Sequence, residues 1–69
     1  MTFREYIVKR RAGRNPAGDF VRDAKADSSL PNCQTWQELE SYLWRCHACD
    51  NAVDAGRVVW RSYLKARSK

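Results

Sequence analysis

Sixty-nine residues with 13 basic and 8 acidic side chains, a net charge of +5 and a hydrophobic share of 43% leave room for one small domain. A chain this short buries only about 60% of the surface that its unfolded form exposes, so a deep catalytic cleft is not expected. The aromatic share of 12% is that of a folding mini-domain and excludes a disordered tail.

A first helix is expected from Thr2, where Thr2 and Glu5 fit a capping box and Phe3, Tyr6 and Ile7 fall at helical spacing. It should run to about Arg11 or Ala12, with Gly13 as a left-handed stop. Asn15-Pro16 then supplies a cap followed by proline at the first helical position, and a second helix is predicted from Pro16 to about Lys25. Its apolar residues Ala17, Phe20, Val21 and Ala24 recur at three and four, while Asp19 and Asp23 lie on another face near Arg22. An acidic pair of that kind on a helix beside arginine reads as solubilising rather than catalytic. Residues 27–32 are loop formers, with Leu30 reaching back to the core.

The central helix begins at Thr35, whose second capping box with Glu38 fixes its start, and the pattern continues through Trp44, Arg45, Cys46 and His47 to Cys49. Trp36, Leu39, Leu43 and Cys46 share a third of its circumference, which predicts one buried face. A final, longest helix is capped by Asp50 or Asn51 and should end near Ala66. Val53, Val59, Trp60, Tyr63 and Leu64 are its apolar positions, and Gly56 marks a close helix contact. Strand periodicity and hairpin turns are absent. The fold class is therefore all-α, a small bundle of about four helices in one domain over residues 1–66, with 67–69 as a short basic tail. The expected core is Phe3, Tyr6, Ile7, Phe20, Val21, Leu30, Trp36, Leu39, Leu43, Val59, Trp60 and Tyr63.

Phe3 and Tyr6, Gly18-Asp19-Phe20 with Arg22-Asp23, Asp27 with Leu30-Pro31, Trp36 with Leu39, Tyr42-Leu43, and Val59-Trp60 with Tyr63 follow one another at telling intervals. In this order and spacing the chain resembles the YozE-type SAM-like family of small bacterial proteins, over Phe3 to Leu64. The resemblance implies a compact bundle with a topology similar to sterile alpha motif domains, and it implies no established biochemical activity. The departure is Trp44-Arg45-Cys46-His47-Ala48-Cys49, where family members are usually polar or acidic.

Function is a choice among binding modes. Cys33, Cys46, His47 and Cys49 are enough ligands in number for zinc, but only one Cys-x-x-Cys pair exists and it precedes a helix end, with Cys33 in a distant loop. No metal and no cofactor are expected. Thiol redox chemistry would need a site that lowers the thiol pKa, usually a helix N-terminus, and no set of nucleophile, base and orienter is present, so the chain is not expected to be an enzyme. The odd number of cysteines suits reduced thiols. No apolar run approaches the ~20 residues of a membrane span, and Met1-Thr2-Phe3-Arg4-Glu5 lacks the basic-then-apolar order of a signal peptide, so a cytoplasmic, monomeric domain is expected.

Charge is unevenly placed. Residues 1–18 hold five basic and one acidic side chain, 19–54 three against seven, and 55–69 five against none. Arg57, Arg61 and Lys65 recur every four residues along the final helix, and Lys9, Arg10, Arg11 and Arg14 crowd the end of the first. If the two segments are neighbours, the surface can hold a DNA or RNA backbone through charge and counterion release without reading base edges. The alternative is a protein-interaction module using the central helix around Trp44 and Arg45, residue types enriched at binding hot spots.

Overall fold

The computed structural model describes residues 1–46 and 48–68 and contains four helices: α1 (Phe3–Lys9), α2 (Pro16–Ala26), α3 (Trp36–Arg45) and α4 (Asp50–Arg67). Among the described residues there is no strand. The starts follow the caps. Thr2 Oγ1 accepts from the Glu5 N–H at 3.1 Å and Asn15 Oδ1 from the Gly18 N–H at 2.6 Å, with Pro16 occupying the position where a missing donor costs nothing. At α3, Thr35 Oγ1 accepts from Glu38 N–H at 3.2 Å, while the Glu38 carboxylate reaches one residue further back, to the Gln34 N–H at 2.9 Å. At α4 the cap position is Cys49 rather than Asp50 or Asn51, and its side chain makes no capping bond. A thiol is a weak acceptor, and the start of α4 is helped instead by the negative charge of Asp50 in its first turn.

All four helix ends differ from expectation, α2 only by the one residue Ala26. α1 stops at Lys9 because Arg10 turns extended (φ −80°, ψ 139°), although its N–H still bonds the Tyr6 and Ile7 carbonyls. Gly13 is not a left-handed stop. Its role is to lie against Gly18, where a Cβ would stand 1.9 Å from the Gly13 carbonyl oxygen. This close crossing of backbones redirects the chain before α1 can continue to Arg11. α3 ends at Arg45, short of Cys49, where the Cys46 N–H bonds back to Tyr42 and Leu43 and the Ala48 N–H reaches the Leu43 carbonyl at 3.0 Å. Cys46 therefore leaves the apolar stripe and is exposed. α4 runs one residue past Ala66, which draws Arg67 out of the tail and into the helix.

The core is built chiefly by α2 and α3 packing on α4, with α1 laid over one end of α2 and α4. Phe3, Ile7, Phe20, Val21, Leu30, Leu39, Leu43, Val59, Trp60 and Tyr63 are buried as their periodicity predicts. Tyr6 and Trp36 are only partly buried at its margin, and Leu64 is exposed. The core also takes Ala24, Cys33, Val53 and Ala55. Gly56 is indeed a close contact, with the Leu43 Cδ1 and Phe20 Cε2 atoms each 3.1 Å from where a Cβ would sit. The Cα radius of gyration, 10.9 Å, matches the roughly 11 Å expected of a compact domain of this length. Among the described residues no helix is long and apolar enough to cross a membrane.

Two polar ties hold the loop between α2 and α3. Arg4 Nη1 donates to the Leu30 carbonyl at 2.8 Å, and the Tyr42 hydroxyl donates to the Asp27 carboxylate. The bond to Asp27 pushes the Tyr42 hydroxyl pKa up, with burial adding to it, and burial, assisted by the Glu38 charge, pushes the Cys33 thiol up. Both groups hold their protons more tightly folded than unfolded. Their contribution to stability is therefore complete below the unfolded pKa values and is lost as pH rises past about 9 for the thiol and about 10 for the phenol. Chemical denaturation across an alkaline pH series should show a falling midpoint, and Tyr42→Phe should flatten the part above about pH 10.

Candidate functional site

α1 and the C-terminal half of α4 meet in an aromatic seam, with Lys9 and Arg10 at the end of the one and Arg61, Lys65 and Arg67 along the other. Phe3 packs on Trp60 and Tyr63 (ring centroids 5.0 and 5.3 Å), Tyr6 on Tyr63 (5.6 Å), and the Tyr63 hydroxyl donates to the Met1 carbonyl at 3.2 Å. On this aromatic seam two arginines are held by cation–π geometry: the Arg10 guanidinium lies 5.7 Å from the Tyr6 ring centre and the Arg67 guanidinium 5.7 Å from that of Tyr63. Arg10 also donates to the Tyr6 hydroxyl. Tyr6 and Tyr63 thus meet in a tilted contact, 53° between ring planes, with one arginine over each ring.

Lys9 is exposed in the last turn of α1, and Arg11 and Arg14 are exposed in the connection to α2. Arg61 and Lys65 are exposed one turn apart on the outer side of α4. None of Lys9, Arg10, Arg11, Arg14, Arg61 and Lys65 forms an ion pair with a carboxylate of another described residue. Glu5, the one acid in residues 1–18, is hydrogen-bonded to Thr2.

Arg57 does not belong with them. It faces α3, where it lies 3.7 Å from Glu40 and 4.0 Å from Asp54 and stacks over Trp36 with its guanidinium 5.4 Å from the ring centre. The four-residue repeat placed it on the same line as Arg61 and Lys65, but two carboxylates offset its charge. Arg67, absent from the expected set, is the basic residue of α4 that lies over the seam at Tyr63. The signal was available, because Arg67 sits four residues after Tyr63 and shares its helix face.

Trp44 is 49% exposed and Arg45 is exposed beside it at the end of α3. Of the soft ligands, Cys33 is buried and donates its thiol proton toward the Pro31 carbonyl at 3.6 Å, whereas Cys46 and Cys49 are exposed. His47 lies outside the described residues. Among the described residues no three His, Cys, Asp or Glu side chains are grouped to hold a metal ion.

The acidic middle of the chain forms a second surface. Between α2, the end of α3 and the start of α4 runs a groove of about 410 Å³. Asp19, Asp23 and Asp27 stand along it at successive helical turns, and Asp19 pairs with Arg22 at 3.2 Å.

No match to the chain was found among curated proteins or among solved structures. The family described as the YozE SAM-like fold matches residues 2–65, from the Thr2 cap to the last turn of α4. Since that match takes in all four helices and the core they share, the chain belongs to the YozE SAM-like family.

Proposed function

We propose that this domain is a non-catalytic binding module that holds nucleic acid weakly and without sequence preference, through Lys9, Arg10, Arg11, Arg14, Arg61 and Lys65 together with Arg67. The observation that carries this reading is the aromatic seam. Tyr6 packs on Tyr63 with Arg10 over the one ring and Arg67 over the other, which supports reading two charge clusters far apart in sequence as one positive surface. Such a surface attracts phosphate by charge and by release of condensed counterions, contacts that carry no sequence information. A cytoplasmic monomer suits that role.

The test is a titration of labelled DNA and RNA of several sequences across a salt series. Binding should be similar for all sequences and weaken steeply with salt, with a log-log slope of about −0.9 per phosphate contact on duplex DNA. Arg61→Gln with Lys65→Gln should flatten the slope, while Arg57→Gln should leave it almost unchanged because Glu40 and Asp54 already offset that charge. Absence of binding at low salt would end this reading. A protein-interaction role is then favoured by the half-exposed Trp44 beside Arg45, and loss of a partner on Trp44→Ala alone would identify it.

A further inference from the structure

We propose that the groove between α2, α3 and α4 is a docking site for a basic amphipathic helix of a partner protein, separate from the positive surface described above. The groove has an apolar floor of Phe20, Ala24, Leu43, Ala52 and Ala55, and its volume of about 410 Å³ is enough for two or three aliphatic side chains. Among the described residues its only charged lining residues are Asp19, Asp23 and Asp27. In a chain with 13 basic and 8 acidic residues, a groove whose described lining holds three carboxylates and no lysine or arginine is complementary to a cation.

The spacing selects the shape of the occupant. Four residues of helix advance about 6 Å, so the three carboxylates form a row about 12 Å long beside the apolar floor. An α-helix lying along the groove repeats its own side chains at the same pitch, with leucine-sized residues at i, i+3 or i+4 entering the floor and lysine or arginine one turn apart facing the row. Asp27 is already engaged by the Tyr42 hydroxyl and Asp19 only by an exposed ion pair with Arg22, whereas Asp23 forms no ion pair with a described residue. Asp19 and Asp23 therefore meet the partner's charges, and Asp27 fixes the wall by tying α2 to α3. Nucleic acid is repelled by this row. Trp44 and Arg45 do not line the groove.

The probe is a synthetic amphipathic peptide of leucine, alanine and lysine about four turns long, titrated into the isotope-labelled domain and followed by amide chemical shifts. Expected are saturable shifts at Phe20, Leu43, Ala52 and Ala55. Asp19→Asn with Asp23→Asn should weaken binding at least about tenfold, Ala52→Phe should block it by filling the floor, and Arg61→Gln with Lys65→Gln should leave it unchanged. Thermal melts establish that each variant is folded, and the exposed aspartates keep the test open if Ala52→Phe is not. A peptide of the same composition scrambled to lose its apolar face should not bind. The proposal is overturned if the scrambled peptide binds equally well, if the shifts fall outside the groove, or if the groove is instead filled by a second copy of this chain. That last outcome would appear as concentration-dependent association abolished by Ala52→Phe.

Discussion

Replacing Gly18 with alanine is expected to unfold a large fraction of the domain, although the same change gains about 1 kcal/mol of intrinsic helix propensity. A Cβ at Gly18 would stand 1.9 Å from the Gly13 carbonyl oxygen, 2.5 Å from its carbonyl carbon and 2.6 Å from its nitrogen. These are backbone atoms, so no rotamer change relieves the overlap. The α1–α2 connection must move, and with it the Asn15 cap that bonds the Gly18 N–H. Overpacking usually costs about 1–3 kcal/mol and more where the backbone shifts, against a total stability of about 3–10 kcal/mol for a chain of this size. Gly13→Ala is the control, because its nearest neighbour is Asn15 Nδ2 at an ordinary 3.6 Å. Far-UV circular dichroism melts of the two variants should differ sharply, and a Gly18→Ala melt matching the parent would refute the crossing.

Trp60→Ala is expected to be the most damaging truncation, at about 3–5 kcal/mol. Trp60 is 5% exposed, packs against Phe3 and Tyr63 at 5.0 and 5.1 Å, and so couples α4 to α1. Trp36→Ala should cost distinctly less. Trp36 lies at the core margin, where part of its ring is covered by the flexible Arg57 guanidinium rather than by packed side chains. Equilibrium denaturation of both variants should therefore rank Trp60 above Trp36, and the reverse order would place the centre of the core at the start of α3.

Helix starts were legible because a cap is a local device: Thr2, Asn15-Pro16 and Thr35 each act within three residues of themselves. Helix ends were not, since Arg10 and Cys46 leave their helices where the chain must turn toward partners elsewhere in the fold. Gly18 drew notice only as part of a family pattern, because its close neighbour is the Gly13 backbone, which no periodicity encodes. The same distinction applies to the positive surface. A repeat of four correctly put Arg61 and Lys65 side by side but could not show that Glu40, on another helix, captures Arg57. In sequence Asp19 and Asp23 show only a solvated helix face, because they become the wall of a groove only when α3 and α4 close the space beside them.

α1 has seven residues, well below the roughly 12–15 at which a helix persists alone in water, so its existence depends on Phe3 and Ile7 being seated in the rest of the bundle. It is a latch. Partial opening of the domain should begin there, releasing α1 while α2, α3 and α4 stay packed on one another. When the latch lifts, Tyr6 leaves Tyr63 and carries Arg10 with it, so the proposed positive surface would be dismantled without global unfolding. Anything that grips both ends of that surface at once must hold the latch shut, and phosphate binding and local stability then rise and fall together.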